Sequence, residues 1–249
     1  VTKVYTHQAA GQINGTDNLI AANNTDIELA GNLTSQSNII GHQSVTISAN
    51  NITNANGGVI KGSFVQLGTN NDLNNLSGTI AADSAMQLNV GGDLNNKSLT
   101  YTSDAVDGAS NATRTGITQV ASIYVGDDLK GQTDTNGNPL TTFVANVGGN
   151  TTFAAGRLDN QGGRSFIDTK GDVTLDAVNV SYQSNSILDS NNFYNQGASA
   201  DIGSQITGNN DILLTGNNIS GTAAQISSTT GNIGILADGS VNFIEGRST

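Results

Sequence analysis

Carboxylates in recurring turns are the residues of this chain best suited to chemistry. They are Asp72, Asp93, Asp128, Asp172 and Asp211, each followed by an aliphatic residue. Hydrolysis of a glycosidic bond needs two facing carboxylates, and stacked repeats could supply them. Asp is also a frequent turn residue that replaces Asn. Asp127 and Asp128 stand without the paired His or the Arg-x-Lys feature of β-helical hydrolases, so the sequence favours turn residues over catalytic acids.

Other catalytic or metal-binding patterns are missing from the sequence. The two histidines, His7 and His42, are 35 residues apart and have no neighbouring Asp or Ser pattern, which disfavours a catalytic triad or a zinc site. The Gly-Gly pairs lack the calcium-binding nonapeptide pattern, and there is no phosphate-binding or dinucleotide-binding loop. The sequence therefore predicts a protein that is not an enzyme, with no catalytic residue, no cofactor and no metal.

The composition excludes several partners. Nine Lys and Arg residues are scattered singly in a chain of net charge −11, whereas nucleic acids and anionic membranes require clustered cations. No apolar run reaches the length of a membrane-spanning helix. With 31 Gly, abundant Asn, Ser and Thr, and only 4% aromatic residues, the chain favours short strands and turns over helices. Because it opens at Val1, we expect an excised fragment or a processed form.

Apolar residues recur with a period of about twenty. Ile20, Ile40, Ile60 and Ile80 are the first members of four repeats. Apolar i, i+2 pairs, which lie on one face of a strand, follow at Ile27/Leu29, Val45/Ile47, Val65/Leu67 and Met86/Leu88. A third apolar position follows Asn or Asp at Leu33, Ile52, Leu73 and Leu94, and we extend it to Leu129, Leu158, Val180, Ile219 and Val241.

Such a period predicts an all-β, right-handed parallel β-helix, a solenoid in which each coil stacks on its neighbours. The pattern of a leucine-rich repeat is missing, and so is helical periodicity. We expect residues 1–249 to form a single β-helix segment of ten or eleven coils. A buried ladder of stacked amides is predicted at Asn54, Asn75, Asn96 and Asn160, which follow a third position by two residues.

Three gaps in the repeat predict insertions at about residues 97–119, 131–142 and 181–200. Loops on a rigid scaffold often carry binding functions. The candidate receptor-binding residues there are Tyr101, Arg114, Tyr182, Phe193 and Tyr194. The same aromatic residues could instead cover the side of the rod or cap a strand edge.

The coils resemble the hemagglutinin repeats of the filamentous hemagglutinin family of exoproteins. The phrases that carry the resemblance are Val90-Gly91-Gly92-Asp93-Leu94-Asn95-Asn96, Ala155-Gly156-Arg157-Leu158-Asp159-Asn160 and Lys170-Gly171-Asp172-Val173-Thr174-Leu175. From about Gly197, Ala200-Asp201-Ile202-Gly203-Ser204-Gln205-Ile206 and Phe243-Ile244-Glu245-Gly246-Arg247 resemble the repeat region that precedes the toxin of contact-dependent growth inhibition effectors.

This resemblance implies a secreted or cell-surface bacterial protein, exported through an outer-membrane two-partner secretion transporter. The family's secretion-domain signatures do not match Asn136-Gly137-Asn138-Pro139-Leu140, so we place the chain downstream of that domain. The leading hypothesis is a rod in an adhesin or growth-inhibition effector that presents or helps to deliver a distal domain, with a host or bacterial surface receptor as candidate partner. The alternatives are a carbohydrate-active β-helix enzyme and a glycan- or receptor-binding module that uses the insertions.

Overall fold

The computed structural model describes residues 13–15, 19–107, 110–189 and 192–249, with the backbone alone for 13–15, 19, 186–189 and 192–194. Within these residues the chain is all-β. Its first strands are β1 (Ile13–Gly15), β2 (Leu19–Glu28), β3 (Leu33–Ser35), β4 (Asn38–Ala49), β5 (Ile52–Ala55), β6 (Val59–Thr69), β7 (Leu73–Leu76), β8 (Thr79–Val90), β9 (Leu94–Lys97), β10 (Leu99–Asp107), β11 (Ser110–Gln119) and β12 (Ser122–Val125). They are followed by β13 (Thr141–Val147), β14 (Thr151–Ala154), β15 (Arg157–Asn160), β16 (Arg164–Thr169), β17 (Val173–Asp176), β18 (Val178–Asp189), β19 (Asn192–Ile202), β20 (Gln205–Gly208), β21 (Ile212–Gly216), β22 (Ile219–Thr222), β23 (Gln225–Ser228), β24 (Ile233–Ala237) and β25 (Val241–Ile244).

Two large parallel sheets contain most of these strands. A 12-stranded sheet has two branches, which we call face 1 and face 2, because its long strands β2, β4, β6 and β8 run through both. Face 1 continues through β12, β15, β20 and β23, and face 2 through β13, β16, β21 and β24. A nine-stranded sheet, face 3, has the order β1-β3-β5-β7-β9-β14-β17-β22-β25.

The chain passes through faces 1, 2 and 3 in turn, and we call each passage a coil. The described residues contain eight coils, which begin at Leu19, Asn38, Val59, Thr79, Ser122, Arg157, Gln205 and Gln225. Each strand pairs in parallel with the equivalent strand of the next coil, as in Ile52↔Leu73↔Leu94. This pairing of segments about twenty residues apart is consistent with a β-helix.

The core lies between the three faces, as a continuous column of aliphatic side chains. Face 1 contributes Ile20, Ile39, Ile60, Ile80, Ile123, Leu158 and Ile206 in consecutive coils. From Ile39 onward these side chains are buried, and each contributes about 1.5–3 kcal/mol of hydrophobic stabilisation. No single coil can bury its own apolar edge, so stability comes from stacking.

The predicted stack of Ile20, Ile40, Ile60 and Ile80 was wrong at one member. Ile39 pairs with Ile60 and is buried, whereas Ile40 pairs with Lys61 on the outer side of face 1. The spacing between paired residues is 19 from Ile20 to Ile39 and 21 from Ile39 to Ile60. An exact twenty-residue count therefore selected the neighbour that points outward.

Three expected third positions were also wrong. Leu129 lies in a turn within the connection between β12 and β13, residues 126–140, and Val180 lies in β18. Leu158 belongs to face 1, and face 3 of coils 5 and 6 begins at Thr151 and Val173. Long segments between the strands displaced these three positions. The described residues contain eight coils and, in β1, one strand of a preceding coil, whereas the expected ten or eleven coils concern all of residues 1–249.

Candidate recognition surface

The first and third predicted insertions meet in one sheet, although they are about eighty residues apart in sequence. Residues of the segment 97–119 form β10 and β11, and residues of the segment 181–200 belong to β18 and β19. The antiparallel order β10-β11-β18-β19 defines what we call the side sheet. The decisive contact is the pairing of β11 with β18, from Asn111↔Asn185 to Thr115↔Ser181.

One face of the side sheet carries three of the candidate recognition residues. Arg114 pairs directly with Tyr182, and Tyr101 pairs with Gly116, two residues from Arg114. Paired residues of an antiparallel sheet, and residues two apart on a strand, lie on the same face. All three side chains are exposed. The structure thus brings Tyr101, Arg114 and Tyr182 together on one surface.

An open groove of about 480 Å³ lies beside these residues. Its lining includes Arg114, Tyr182, Val180, Ala198, Ala200 and Ile202. Apolar side chains beside the Tyr182 ring and the Arg114 guanidinium are suited to contacts with an apolar or ring-shaped group, since Tyr and Arg are frequent anchors in interfaces. Glycine at position 116 leaves room for the Tyr101 ring, which a Cβ there would contact.

The opposite face of the side sheet is polar and internally hydrogen-bonded. Thr113 Oγ1 donates to Asp104 Oδ1 at 2.7 Å, and Asn185 Nδ2 donates to Asn111 Oδ1 at 3.1 Å. Near the base of the hairpin, Asn179 Nδ2 donates to Asp201 Oδ1 at 2.8 Å. This hydrogen bond is the main cause of the lowered pKa of the Asp201 carboxyl. The two faces therefore differ in chemistry.

Two further candidate residues, Phe193 and Tyr194, lie in β19, where the described part of the structure includes only their backbone. Whether they share the surface of Tyr101, Arg114 and Tyr182 stays a prediction. The C-terminal residues add to the same sheet. Ala200 and Ser248 form an antiparallel bridge, and Ser199 and Thr249 exchange two backbone hydrogen bonds of 2.9 Å.

The segment 131–142, predicted as the second insertion, contains a tight turn and the start of β13. Asp134 Oδ1 accepts the backbone N–H groups of Asn136 and Asn138 at 2.8 and 3.0 Å. The backbone hydrogen bond from Asn138 is the largest cause of the lowered pKa of Asp134. Arg164 Nη2 lies 3.9 Å from Asp134 Oδ2. These contacts use the carboxylate to hold the turn.

No protein-family model, no curated protein and no solved structure matches this chain. The functional reading therefore depends on the chemistry of the described residues.

Three of the recurring carboxylates belong to one ladder of turn residues, which we call the Asx ladder. Its members, one per coil, are Asn32, Asn51, Asp72, Asp93, Asn150, Asp172, Asn218 and Ser240. From Asn51 onward, each side-chain oxygen accepts the backbone N–H of the next member at 2.7–3.0 Å. The hydrogen bond from Asn218 Nδ2 is the first cause of the lowered pKa of Asp172.

The remaining recurring carboxylates lie elsewhere. Asp128 accepts a hydrogen bond from Ser84 Oγ at 3.0 Å, and Asp211 Oδ1 accepts the backbone N–H of Asn232 at 2.8 Å. Each therefore has a local hydrogen-bonding partner. Glycine precedes several members of the Asx ladder because the oxygen from the preceding coil occupies the place of a Cβ, as at Gly92 and Gly171.

The predicted amide ladder forms at three of its four positions. Asn54, Asn75 and Asn96 are fully buried, with Nδ2 to Oδ1 hydrogen bonds of 2.9 and 2.8 Å between successive members. Asn160 is also buried but lies on face 1, where its Nδ2 donates to Ser165 Oγ. The prediction for Asn160 was wrong because Leu158 was assigned to the wrong face.

A cluster that the sequence did not reveal surrounds Tyr124 on the outer side of face 1. Lys61 Nζ lies 3.2 Å from Asp83 Oδ1. Tyr124 and Asp159 are paired on neighbouring strands. Burial raises the pKa of the Tyr124 hydroxyl, and so do the charges of Asp159, Asp127 and Asp83. The sequence could not reveal this cluster, because its residues come from four coils and meet only through the register of the strands.

This cluster is the closest approach to the convergence of carboxylates and a cation that an enzyme would need. Asp159 Oδ1 accepts hydrogen bonds from Gln161 and Thr207, and Asp83 is paired with Lys61. Among the described residues no group of three or more His, Asp or Glu is placed to hold a metal ion. His42 is exposed, and His7 lies outside the described residues. No helix in the described part could span a membrane.

Proposed function

We propose that this chain is a right-handed parallel β-helix segment of a filamentous hemagglutinin-like exoprotein, serving as a structural rod. The observation that carries the proposal is the register of eight coils on three faces, with a core that continues from one coil to the next. Right-handed connections between parallel strands are strongly preferred. The residue phrases given above support the family, and the family supports a secreted or surface location and an outer-membrane two-partner secretion transporter as partner.

The hydrogen bonds that polar side chains form between coils also support a rod function. At about 4.8 Å per coil, eight coils span roughly 40 Å. The Asx ladder and the buried amides link every described coil to the next, so their oxygen and nitrogen atoms serve the stack. Such a scaffold can hold a distal adhesive or toxic domain at a distance from the cell that displays it.

Export and display provide the test of this proposal. The chain would be placed between a two-partner secretion domain and a folded reporter enzyme, and co-expressed with the matching transporter. We expect the reporter to be accessible to protease on intact cells. A matched fusion with Ile60→Asp, which cannot stack its coils, should be degraded after export. Retention of the wild-type fusion in the periplasm would contradict the proposal.

The side sheet supports a second candidate function, recognition of a surface receptor or glycan. The supporting observation is the meeting of Tyr101, Arg114 and Tyr182 beside the groove. Beads coated with the chain would be tested for adhesion to epithelial cells and to Gram-negative bacteria. We expect Tyr182→Ala to weaken adhesion and Tyr124→Ala, an exposed tyrosine on face 1, to leave it unchanged. Equal effects of both substitutions would argue against the side sheet.

The alternative of a carbohydrate-active enzyme draws support only from the cluster around Tyr124. Pectin, alginate, chondroitin and peptidoglycan would be incubated with the chain, with and without calcium, and analysed for reducing ends and unsaturated products. We expect no turnover. Turnover by the wild type that disappears in Asp83→Asn, Asp93→Asn or Asp128→Asn would show that the chain is an enzyme and would contradict the proposal of a structural rod.

A further inference from the structure

The outer side of face 2 contains a groove of about 450 Å³ that spans coils 2 to 5. Four parallel strands line it, namely β4, β6, β8 and β13, through residues 44–46, 64–66, 85–87 and 141, 142 and 144. None of these residues is charged, although the chain has a net charge of −11. Ligand sites commonly have volumes of about 300 Å³ or more, so the groove is large enough to hold a small ligand or part of a polymer.

Phe64 presents an aromatic ring to this groove. Its side chain is 54% exposed, and its paired neighbours, Ser44 and Ala85, are too small to cover the ring. The pairing is irregular between Gly62 and Phe64, where face 1 passes into face 2. Irregularities of this kind redirect side chains. Because an exposed aromatic ring gains free energy when it leaves water, a ligand that covers Phe64 gains affinity.

Uncharged hydrogen-bonding groups lie beside the ring. Gln66 is two residues from Phe64 on the same side of β6 and pairs with Gln87 of the next coil. The Gln66 amide has no hydrogen-bonding partner among the described residues, and Gln87 Nε2 has one long contact of 3.4 Å to Asn89 Oδ1. Asn146 Nδ2 donates to the same oxygen at 2.9 Å. Asn89 and Asn146 also line a second hollow of about 360 Å³, so the amides extend beyond the groove.

We propose that this groove binds an uncharged oligosaccharide whose chain runs along the axis of the coil stack. Phe64 stacks against the apolar face of a sugar ring. Gln66 and Gln87 bond the sugar hydroxyls, because a carboxamide and a hydroxyl group can each donate and accept. Equivalent positions of neighbouring coils are about 4.8 Å apart, which is close to the length of one unit in an extended hexose chain. Successive sugars therefore meet equivalent positions of successive coils.

The charge distribution favours a neutral sugar over an acidic glycan. A carboxylate or sulfate in the groove would lose its water without meeting a cation, and the net charge of −11 repels it at longer range. Carboxylates flank the uncharged stretch on both sides, since Asp26 pairs with Thr46 and Asp168 pairs with Asn146. Asp168 is neutralised by Lys170 at 2.8 Å, so no free cation is left there for an acidic ligand.

Isothermal titration calorimetry tests the proposal with chitohexaose, cellohexaose and maltohexaose, and with hexagalacturonate as the acidic counterpart. We expect binding of a neutral oligosaccharide and none of hexagalacturonate. Phe64→Ala should raise the Kd about tenfold or more, since the ring is buried only in the complex, and Gln66→Ala should raise it less. The matched control is Tyr182→Ala, which removes an aromatic ring of the side sheet that is 42% exposed and should leave the Kd unchanged.

Thermal unfolding separates loss of binding from loss of the fold. Phe64 is more than half exposed and the Gln66 amide has no partner among the described residues, so both variants should keep the wild-type midpoint. Failure of all three neutral oligosaccharides to bind at millimolar concentration would overturn the proposal. Tighter binding of hexagalacturonate, or equal weakening by Phe64→Ala and Tyr182→Ala, would do the same. Self-association in sedimentation velocity that Phe64→Ala abolishes would assign the groove to a contact between copies of the chain instead.

Discussion

At the scale of single residues, the polar side chains inside and beside the core have defined partners in neighbouring coils. Asn75 donates to Asn96 Oδ1 and to the carbonyl of Gly78, and accepts from Asn54. The Oδ1 of Asn54, at the end of this row, is buried without a partner among the described residues. Buried amides of this kind stabilise only when the row is continuous.

Replacing Asn75 by Leu should therefore be costly. The substitution leaves the buried Asn96 Oδ1 without its donor, while the Gly78 carbonyl keeps the backbone N–H of Ser122. The expected cost is about 1–3 kcal/mol in the free energy of unfolding. Asn74→Leu is the matched control, because Asn74 lies on the outer side of the same strand and loses one partly exposed hydrogen bond. Urea denaturation measures both. Similar midpoints would show that the buried row contributes nothing.

Asp172 provides a test by pH. Its folded pKa is lowered, first by the Asn218 side chain and then by Asn217. A carboxyl with a lowered folded pKa stabilises the fold above its unfolded pKa of about 4, and this contribution is lost as pH falls through the folded pKa. The midpoint of the wild type minus that of Asp172→Asn should thus be larger at about pH 7 than at about pH 2.5. A difference independent of pH would contradict the assignment.

Residue-level prediction from sequence succeeded where the repeat is uninterrupted. Asn54, Asn75 and Asn96 could be placed in one row because the face 3 positions of coils 2, 3 and 4 follow one another at a constant spacing of 21 residues. Asn160 could not, since its position after an apolar residue is shared by face 1 and face 3. The cluster of Lys61, Asp83, Tyr124 and Asp159 was out of reach for the same reason, as it requires the register between faces.

At the scale of strands and sheets, the coil stack and the side sheet are stabilised differently. The coils share one apolar core, whereas the side sheet is held mainly by backbone pairing and by polar side-chain pairs such as Thr113–Asp104. Four coils end face 3 with a residue of positive φ, namely Asn56, Ser77, Ala155 and Ala223. Coils 4 and 6 instead send the chain outward into β10 and β18.

The shared core predicts a large effect for Ile60→Asp. The carboxylate would be buried between Ile39 and Ile80, and an unpaired buried charge should cost about 4 kcal/mol or more, or prevent folding. Asn74→Asp on the outer side of β7 keeps an oxygen for Asn95 and should change the free energy of unfolding little. Circular dichroism during heating measures both variants. Comparable midpoints would rule out a common core.

The side sheet can be tested by cross-linking, because the chain has no Cys of its own. Thr113 and Gln183 face each other on β11 and β18. Cysteines at these two positions should form a disulfide under mild oxidation, whereas cysteines at Thr113 and Ser220 should not, as Ser220 lies on face 3. Mobility on non-reducing gels reports the result. Absence of the Thr113–Gln183 cross-link would mean that the two hairpins do not pair.

The sequence indicated the two segments that form the side sheet, but it did not indicate that they pair with each other. Gaps in the repeat indicated the two segments as insertions, yet pairing between β11 and β18 depends on how far apart their coils lie. That distance follows from coil height and cannot be read from either segment alone. The shift from Ile40 to Ile39 has a similar origin, since one missing residue reverses which side chains face inward.

At the scale of the whole molecule, stability should decline toward coil 8. In a polypeptide of residues 1–249, amide exchange should be slowest in β6 and β8, which have a strand on each side, and fast in β24 and β25, which have one. Fewer buried contacts and open edges lower the free energy of local opening. Mass spectrometry of exchanged peptides gives the profile. Uniform protection through Ile244 would show that the final coil is capped.

The side sheet has a consequence for how such a chain can change its length. Its two hairpins leave the stack two coils apart, after β9 and after β17. Two coils rise about 9.6 Å, which is also the width of a two-stranded hairpin. Duplication or deletion of a single coil between them would open a gap of one strand or force two strands into one place. Coils outside the stretch from β9 to β17 can be duplicated or deleted one at a time. The coils within that stretch can only be duplicated or deleted together with both hairpins.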